Sequence, residues 1–280
     1  MDKLPISVII AAKNAERTIE KCLDSVRRNN PAEVIMVDGN STDGTLGIVR
    51  KYTEKIYYDE GRGLGYAHQL GAEVAAQEHI VLVDADIILP PGTLSTLLAE
   101  LKASDYVSMT ARIVAANLST YWERAIDWNV RLLQARRGGG LFATVLKRET
   151  ILKYKLDAGI KAGGDDTDFQ MRIEKQGYKQ GMSSSLVYHQ HQSDLRGLVK
   201  VRFKYGRAAP FFIRRYGPWH IGFWPPLTRL YWLVICLVKR KPQFIPYFIV
   251  DGIAQTAGMV KGFFELIDEA LKRRRRKDAG

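Results

Sequence analysis
The chain has 280 residues and is 46% hydrophobic, enough for one large domain or a domain with an appendage around a substantial core. Its two cysteines, Cys22 and Cys236, are too few and too far apart for a disulfide framework or a zinc pattern, which fits a reducing compartment. The net charge of +12 is confined to the last third: residues 191–280 carry 18 Lys and Arg against 6 Asp and Glu, while residues 1–190 carry 24 of each.

The N-terminal MDKLPISVII lacks signal-peptide form and leads directly into a strand, Ile6–Ala11. A helix over Ala15–Arg28 places Ile19, Leu23 and Val26 on one face. Strands at Glu33–Asp38 and Lys55–Tyr58 follow, with a helix opening at Thr42-Asp43-Gly44 between them and another from about Gly65 to Gln77 after them. The β-branched run Ile80–Val83 reads as a buried strand. This βαβαβαβ order predicts a mostly parallel sheet. Further on, helices are expected over Pro91–Lys102, Asn117–Arg137 and Asp166–Gln176, and strands over Tyr106–Ile113 and Leu141–Leu146. Gly138-Gly139-Gly140 breaks the second of these helices.

Five short segments carry chemistry. Asp84-Ala85-Asp86 leaves the carboxyl end of a strand, the edge where open α/β sheets bind ligands. Paired carboxylates there suit Mg²⁺ or Mn²⁺ shared with substrate phosphates; a helix cap plus a turn aspartate is the alternative. Asp38 ends the second strand and is placed to accept from a base N–H or a ribose hydroxyl, or simply to cap the next helix. In Gly61-Arg62-Gly63-Leu64-Gly65, backbone amides and Arg62 can cradle a diphosphate. Asp165, Asp166 and Asp168 crowd one helix start, where their repulsion needs a metal, an Arg or a shared proton, and where one carboxylate can act as a general base. His189 and His191 close a strand-like segment and offer neutral imidazole to Mn²⁺.

Taken together these segments resemble glycosyltransferase family 2, which has the GT-A fold. The matching stretches are SVIIAAKNAERTIEKCLDSV, VIMVDGNSTDGT, GRGLGYAHQLGAEVA, VLVDADIILPPG, GGDDTDFQMRIEKQGYK and VYHQHQSDLRGLVKVRFKYGR, in order across residues 6–207. The resemblance implies an inverting, metal-dependent transfer from a nucleotide-diphosphate sugar, with UDP or GDP as the nucleotide. It places Ala11, Asn14, Glu16, Asp38, Arg62, Asp84 and Ala85 on the nucleotide-sugar. Asp86, Asp84 and His189 become the metal ligands, with His191 as the substitute for His189. Asp166 becomes the catalytic base with Asp165 beside it, and Gly140, Asp168 and Arg207 lie on the acceptor side. Two positions depart from the family pattern. Ala11-Ala12-Lys13 stands where Pro-Thr-Tyr is usual, so the stacking Tyr is missing, and Gly39 replaces a frequent second acid after Asp38.

The resemblance leaves the last third to be read from composition. A catalytic domain over 1–192 and a helical, basic region over 193–280 are expected. In the latter, Leu230–Val238 is apolar for nine residues and Phe244–Phe264 is interrupted by Asp251, Gln255 and Lys261. Neither is a clean run of the roughly 20 apolar residues a spanning helix needs. Helices lying in the interface of an anionic membrane, at its cytoplasmic face, fit better; a short re-entrant hairpin is the alternative. Nucleic acid is disfavoured because Trp219–Val238 is too apolar for a stacking groove. The acceptor is then lipid-linked, or else a soluble sugar or protein with residues 216–280 forming a dimer interface. Two rival functions are weaker. A DxD phosphatase wants Thr or Val where Ile88 stands, and a non-catalytic nucleotide-sugar-binding protein would not need every acidic position filled.

Overall fold
The computed structural model describes residues 3–137, 140–160, 163–191, 194–219 and 224–278. The chain divides into two units: Met1–Ser119, Ile126–Lys161 and Asp165–His191 form the first, and Thr120–Ala125, Ala162–Gly164 and Gln192–Gly280 the second. Two short mid-chain pieces thus group with the C-terminal helices. Of the expected glycine break, Gly138 and Gly139 lie outside the described residues.

The first unit is organised by one sheet. Its strands are β1 (Leu4–Ala12), β2 (Pro31–Asp38), β3 (Ile56–Tyr58), β4 (His79–Asp84), β5 (Ile87–Ile88), β6 (Ser108–Ala115), β7 (Ala143–Lys147) and β8 (Gln180–His189), in the order β3-β2-β1-β4-β7-β6-β8-β5. β3, β2, β1 and β4 pair in parallel, as do β6 and β8, while β7 and β5 are antiparallel to their partners. The expected mostly parallel sheet is present. The insertion of β7 between β4 and β6 and the two-residue β5 were not legible in the sequence.

β1 is buried continuously from Ile6 to Ala12, Ser7 being the one polar residue among them, because both faces of the sheet are covered. Ile6, Val8 and Ile10 enter one layer of the core with Leu23 and Val26 of α1 (Ile19–Arg28) and Leu94 and Leu97 of α4 (Thr93–Lys102). Ile9 and Ala11 enter the other, with Ala72 of α3 (Leu64–Val74), Ile151 of α6 (Arg148–Tyr154) and Phe169 of α7 (Asp165–Glu174). The short α2 (Thr45–Val49) adds Val49 to the first layer, and α5 (Tyr121–Arg137) packs Val130 against it. α1 starts four residues later than its periodicity predicts. Ala15 N–H donates to Thr45 Oγ1 and Glu16 N–H to Asp43 Oδ2, so this stretch is held by the loop after β2 instead of by helical bonds.

The second unit contains α8 (Leu195–Tyr216), α9 (Pro225–Val238), a 3₁₀ turn at Pro242–Phe244 and α10 (Ile245–Asp278). α8 and α10 meet through glycines: a methyl on Gly206 would strike Gln255 O, and one on Gly258 would strike Phe203 O. Asp251, fully buried on α10, is shared by Arg202 of α8 (Nε–Oδ1 3.3 Å) and Arg229 of α9 (Nε–Oδ2 2.5 Å). One carboxylate thus ties three helices. Among the described residues, no helix is long and apolar enough to cross a membrane.

The approach of α3 to β1 is equally tight, since a Cβ on Gly71 would collide with the fully buried Ile9 side chain. Gly71→Ala would gain about 1 kcal/mol of helix propensity and lose about 1–3 kcal/mol to overpacking. Net destabilisation is expected in urea unfolding at an unchanged m-value.

Candidate active site
The carboxyl ends of β1, β2, β4 and β8 share one edge of the sheet, and the chemistry-bearing segments collect there. β1 lies between β2 and β4, with Ala12 opposite Asp38 and Ala11 opposite Asp84. Asp38 and Asp84 are therefore one strand apart, not adjacent. Ala85 packs on the core beneath the turn.

The acidic turn is clamped from the far side of the sheet. Ile87 pairs with His189 and Ile88 with Tyr188, and Gln190 N–H donates to Asp86 O at 2.9 Å. This brings Asp86 Oδ2 to 3.0 Å from His189 Nε2, and the His191 ring stands edge-on to His189 with centroids 4.2 Å apart. The two aspartates differ sharply in acidity. Burial and the adjacent Asp86 push Asp84 up to about 7, with Asp166 and Asp165 adding to the shift. Burial also opposes ionisation of Asp86, but the charge of His189 and its hydrogen bond outweigh it and hold Asp86 below the ordinary carboxylate range.

Asp84 N–H donates to Phe142 O at 3.0 Å, and Asp166 reaches the same segment at Gly140 and Leu141, so the start of α7 lies beside this turn. Asp165 is buried, and Gly65 of α3 allows its approach: a Cβ there would lie 3.2 Å from Asp165 Cβ. Asp166 is raised, mainly by burial, against hydrogen bonds from Thr167 and Leu141 that favour its ionised form. A Cβ on Gly140 would stand 2.5 Å from Asp166 Oδ2, so the absence of a side chain at 140 makes room for that carboxylate. Of the acceptor-side residues, Gly140 is thus at the site. Asp168 is not open to a ligand: it is fully buried and bound to Arg172 Nε at 2.8 Å, and Arg172 continues to Tyr154 O and Lys155 O. Arg207 lies in the second unit, forked onto Glu265 with contacts of 2.9–3.1 Å.

Several residues expected on the nucleotide also hold the loops. Asn14 Oδ1 accepts from Thr42 N–H at 2.8 Å, and Glu16 Oε2 accepts from Gly44 N–H at 2.7 Å, so both knit the end of β1 to the loop after β2. Asp38 Oδ2 accepts from Ser41 N–H at 2.9 Å. Asp38 Oδ1 is buried without a hydrogen-bond partner among the described residues. The Arg62 guanidinium lies 3.6 Å from the centroid of the Tyr66 ring, which orients it by a cation–π contact while leaving it exposed.

Sequence reasoning missed Asp59. Its carboxylate accepts from Gly61 N–H (2.8 Å) and Gly63 N–H (3.1 Å), shaping the glycine loop, where Glu60, Gly61 and Gly63 all have positive φ. An Asp two residues before a Gly is the Asx-turn signal that marks it. A cleft of about 640 Å³ lined by His79, Lys102, Lys147 and Lys153 lies at the opposite edge of the sheet and contains none of these residues.

For a divalent cation the fit is partial. Among the described residues, no group of three or more His, Cys, Asp or Glu side chains converges on one point. Of the expected set of Asp84, Asp86 and His189, the last two are in direct contact, and Asp84 stands two residues before Asp86. Carboxylate plus imidazole suits Mn²⁺ or Mg²⁺ when other oxygens come from a bound diphosphate. Asp59→Ala should cost about 1 kcal/mol, since two partly exposed loop amides exchange a carboxylate acceptor for water. A drop in melting temperature with unchanged far-UV circular dichroism checks this.

A family model described as glycosyl transferase family 2 matches residues 7–156. The lipopolysaccharide core biosynthesis glycosyltransferase LpsC of Rhizobium meliloti is 34% identical over 110 residues, 38% of this chain and 40% of that protein. A dolichyl N-acetyl-α-D-glucosaminyl phosphate 3-β-D-2,3-diacetamido-2,3-dideoxy-β-D-glucuronosyltransferase of Methanococcus voltae is 21% identical over 275 residues, 86% of this chain and 83% of that one. Among solved structures, glucosyl-3-phosphoglycerate synthase from Mycobacterium tuberculosis, in complex with Mn²⁺, UDP-glucose and phosphoglyceric acid, superposes with a TM-score of 0.53. It is 21% identical, and the match covers 76% of this chain and 80% of that one. With more than half of its length matched by the family model, the chain belongs to glycosyl transferase family 2 and has the GT-A fold.

Proposed function
We propose that the protein transfers a sugar from a nucleoside-diphosphate donor to a hydroxyl acceptor by a single inverting displacement. The observation that carries this reading is the gathering of the Asp86–His189 pair and the Asp165–Asp166 carboxylates at one sheet edge. Asp38 Oδ1 and Arg62 would hold the nucleotide and its phosphates. Asp86 and His189 would hold Mn²⁺ or Mg²⁺, which when bound supplies charge stabilisation to the leaving diphosphate. Asp166 takes the proton of the acceptor hydroxyl as that oxygen bonds to the anomeric carbon. The bond from that carbon to the diphosphate breaks, and the electron pair leaves with the nucleoside diphosphate. The solved relative with Mn²⁺ and UDP-glucose supports the donor class.

For the acceptor, we favour a lipid-linked glycan or polyprenyl phosphate at the cytoplasmic face of an anionic membrane. The +12 excess in residues 191–280 and the dolichyl-linked compound in the name of the Methanococcus voltae relative support this choice.

Asp166→Asn should lower turnover by about 10²–10⁴-fold while donor binding, measured by calorimetry, stays near wild type. Near-normal turnover would remove Asp166 from the role of base. Because a base must be ionised and burial raises this carboxyl, the acid limb of kcat/KM should fall at a pH above the ordinary Asp range.

Thermal shift with Mn²⁺ plus UDP- and GDP-sugars tests the cation independently. Asp86→Ala and His189→Ala should each abolish the metal-dependent stabilisation. Its retention in both variants would overturn the assignment, and no stabilisation of wild type by any donor would favour a scaffold protein with no nucleotide-sugar site.

A further inference from the structure
The second unit leaves unusually large apolar surfaces uncovered. On α10, Ile249, Ile253, Val260, Phe264, Ile267 and Leu271 are all about half exposed or more. Their spacings of 4, 7, 4, 3 and 4 residues put them on one helical face. That stripe is about 33 Å long at 1.5 Å per residue. The opposite face of α10 carries Asp251, Gly258 and Gly262, which face α8 and the buried ion cluster. α9 repeats the pattern: Leu227, Leu230, Val234, Leu237 and Val238 are exposed, while Trp232 and Cys236 on its other side are buried, Trp232 stacked on Phe248 of α10. α10 also buries Tyr247 and Phe248, so on both helices apolar residues extend beyond the side that packs. A soluble monomer rarely keeps contiguous apolar surface on this scale.

The polar residues around these stripes select the occupant. Lys239, Arg240 and Lys241, in the turn between the helices, are exposed and make no ion pair among the described residues. Lys261 is exposed on α10, and the sequence continues as Lys272–Lys277 without a neutral residue. Trp219 is 91% exposed before α9. Two copies meeting through these faces would bring together two regions each with 18 basic and 6 acidic residues, which repels them. Anionic phospholipid offers apolar chains to the stripes, phosphates to the lysines and arginines, and a headgroup layer to Trp219. Among the described residues no helix is long and apolar enough to cross a membrane. The stripe of α10 runs along the helix axis, which suits contact in the plane of the leaflet.

We propose that the exposed stripes of α9 and α10, rimmed by Lys239-Arg240-Lys241, form an in-plane docking surface for an anionic membrane leaflet. This rests on the membrane-linked acceptor reading above and specifies the surface that would serve it.

The test is co-sedimentation of the full chain with vesicles of phosphatidylcholine plus phosphatidylglycerol, and with pure phosphatidylcholine. Binding to the anionic vesicles is expected, weakened by salt and on pure phosphatidylcholine. The exposed double substitution Ile253→Gln/Phe264→Gln should reduce binding at least about tenfold through lost apolar burial. Lys239→Gln/Arg240→Gln/Lys241→Gln should remove the preference for anionic lipid. Wild type that ignores both vesicles, or an Ile253→Gln/Phe264→Gln variant that binds like wild type, would overturn the proposal. So would light scattering that finds a stable dimer dispersed by the same double substitution. Melting curves with and without nucleotide-sugar on each variant keep the two readings separable. Lost vesicle binding with donor stabilisation intact concerns the surface alone, whereas intact vesicle binding without donor stabilisation leaves the surface standing and removes the transferase.

Discussion
Two backbone pairs, Ile87 with His189 and Ile88 with Tyr188, are the contact on which the candidate site depends. They fold the turn after β4 against the end of a strand a hundred residues later in the chain. Without them Asp86 would be one more carboxylate in a crowded acidic edge. With them it has an imidazole at 3.0 Å and stays ionised, while Asp84, two residues away, is raised to about 7 by burial and by Asp86 itself. One tripeptide thus presents two carboxylates of opposite tendency. The difference arises from which neighbour each faces, because burial opposes ionisation of both.

Around this pair, much of the polar chemistry serves the loops. Asn14, Glu16, Asp43 and Asp59 satisfy backbone amides of the segments that follow β1, β2 and β3. Loop amides left without acceptors would cost free energy and mobility. Side chains committed in this way pre-order the edge, while Asp38 Oδ1 has no hydrogen-bond partner among the described residues and Arg62 is stacked on Tyr66. Glycines do the complementary work of excluding bulk: Gly65 admits Asp165 and Gly140 admits Asp166.

The second unit follows a different rule. α8 and α10 approach through glycine contacts, and a buried Asp251 shared by two arginines joins α9 to them. Removing one member of such a cluster leaves an uncompensated buried charge, at a typical cost of about 3–5 kcal/mol. The packing is thereby specified on one face of α10 and left open on the other.

The alternating pattern of β-branched runs and amphipathic helices was enough to predict the mostly parallel sheet and the helices around it, because both periods are local properties of the chain. The stretches Val34–Thr45, Gly61–Ala67, Val81–Gly92 and Gly163–Lys179 likewise announced an acidic, glycine-rich edge, since turn residues and strand ends are written in consecutive positions. Tertiary structure alone decided which of these groups meet. β7 had to reverse direction between β4 and β6, and a two-residue β5, too short for any periodicity, had to pair with β8 before Asp86 could face His189. The same holds for Asp168 and Arg207, whose charges looked available in the sequence. Each is taken by an internal partner, Arg172 and Glu265, because a charge's neighbours in space are set by packing and not by its position along the chain.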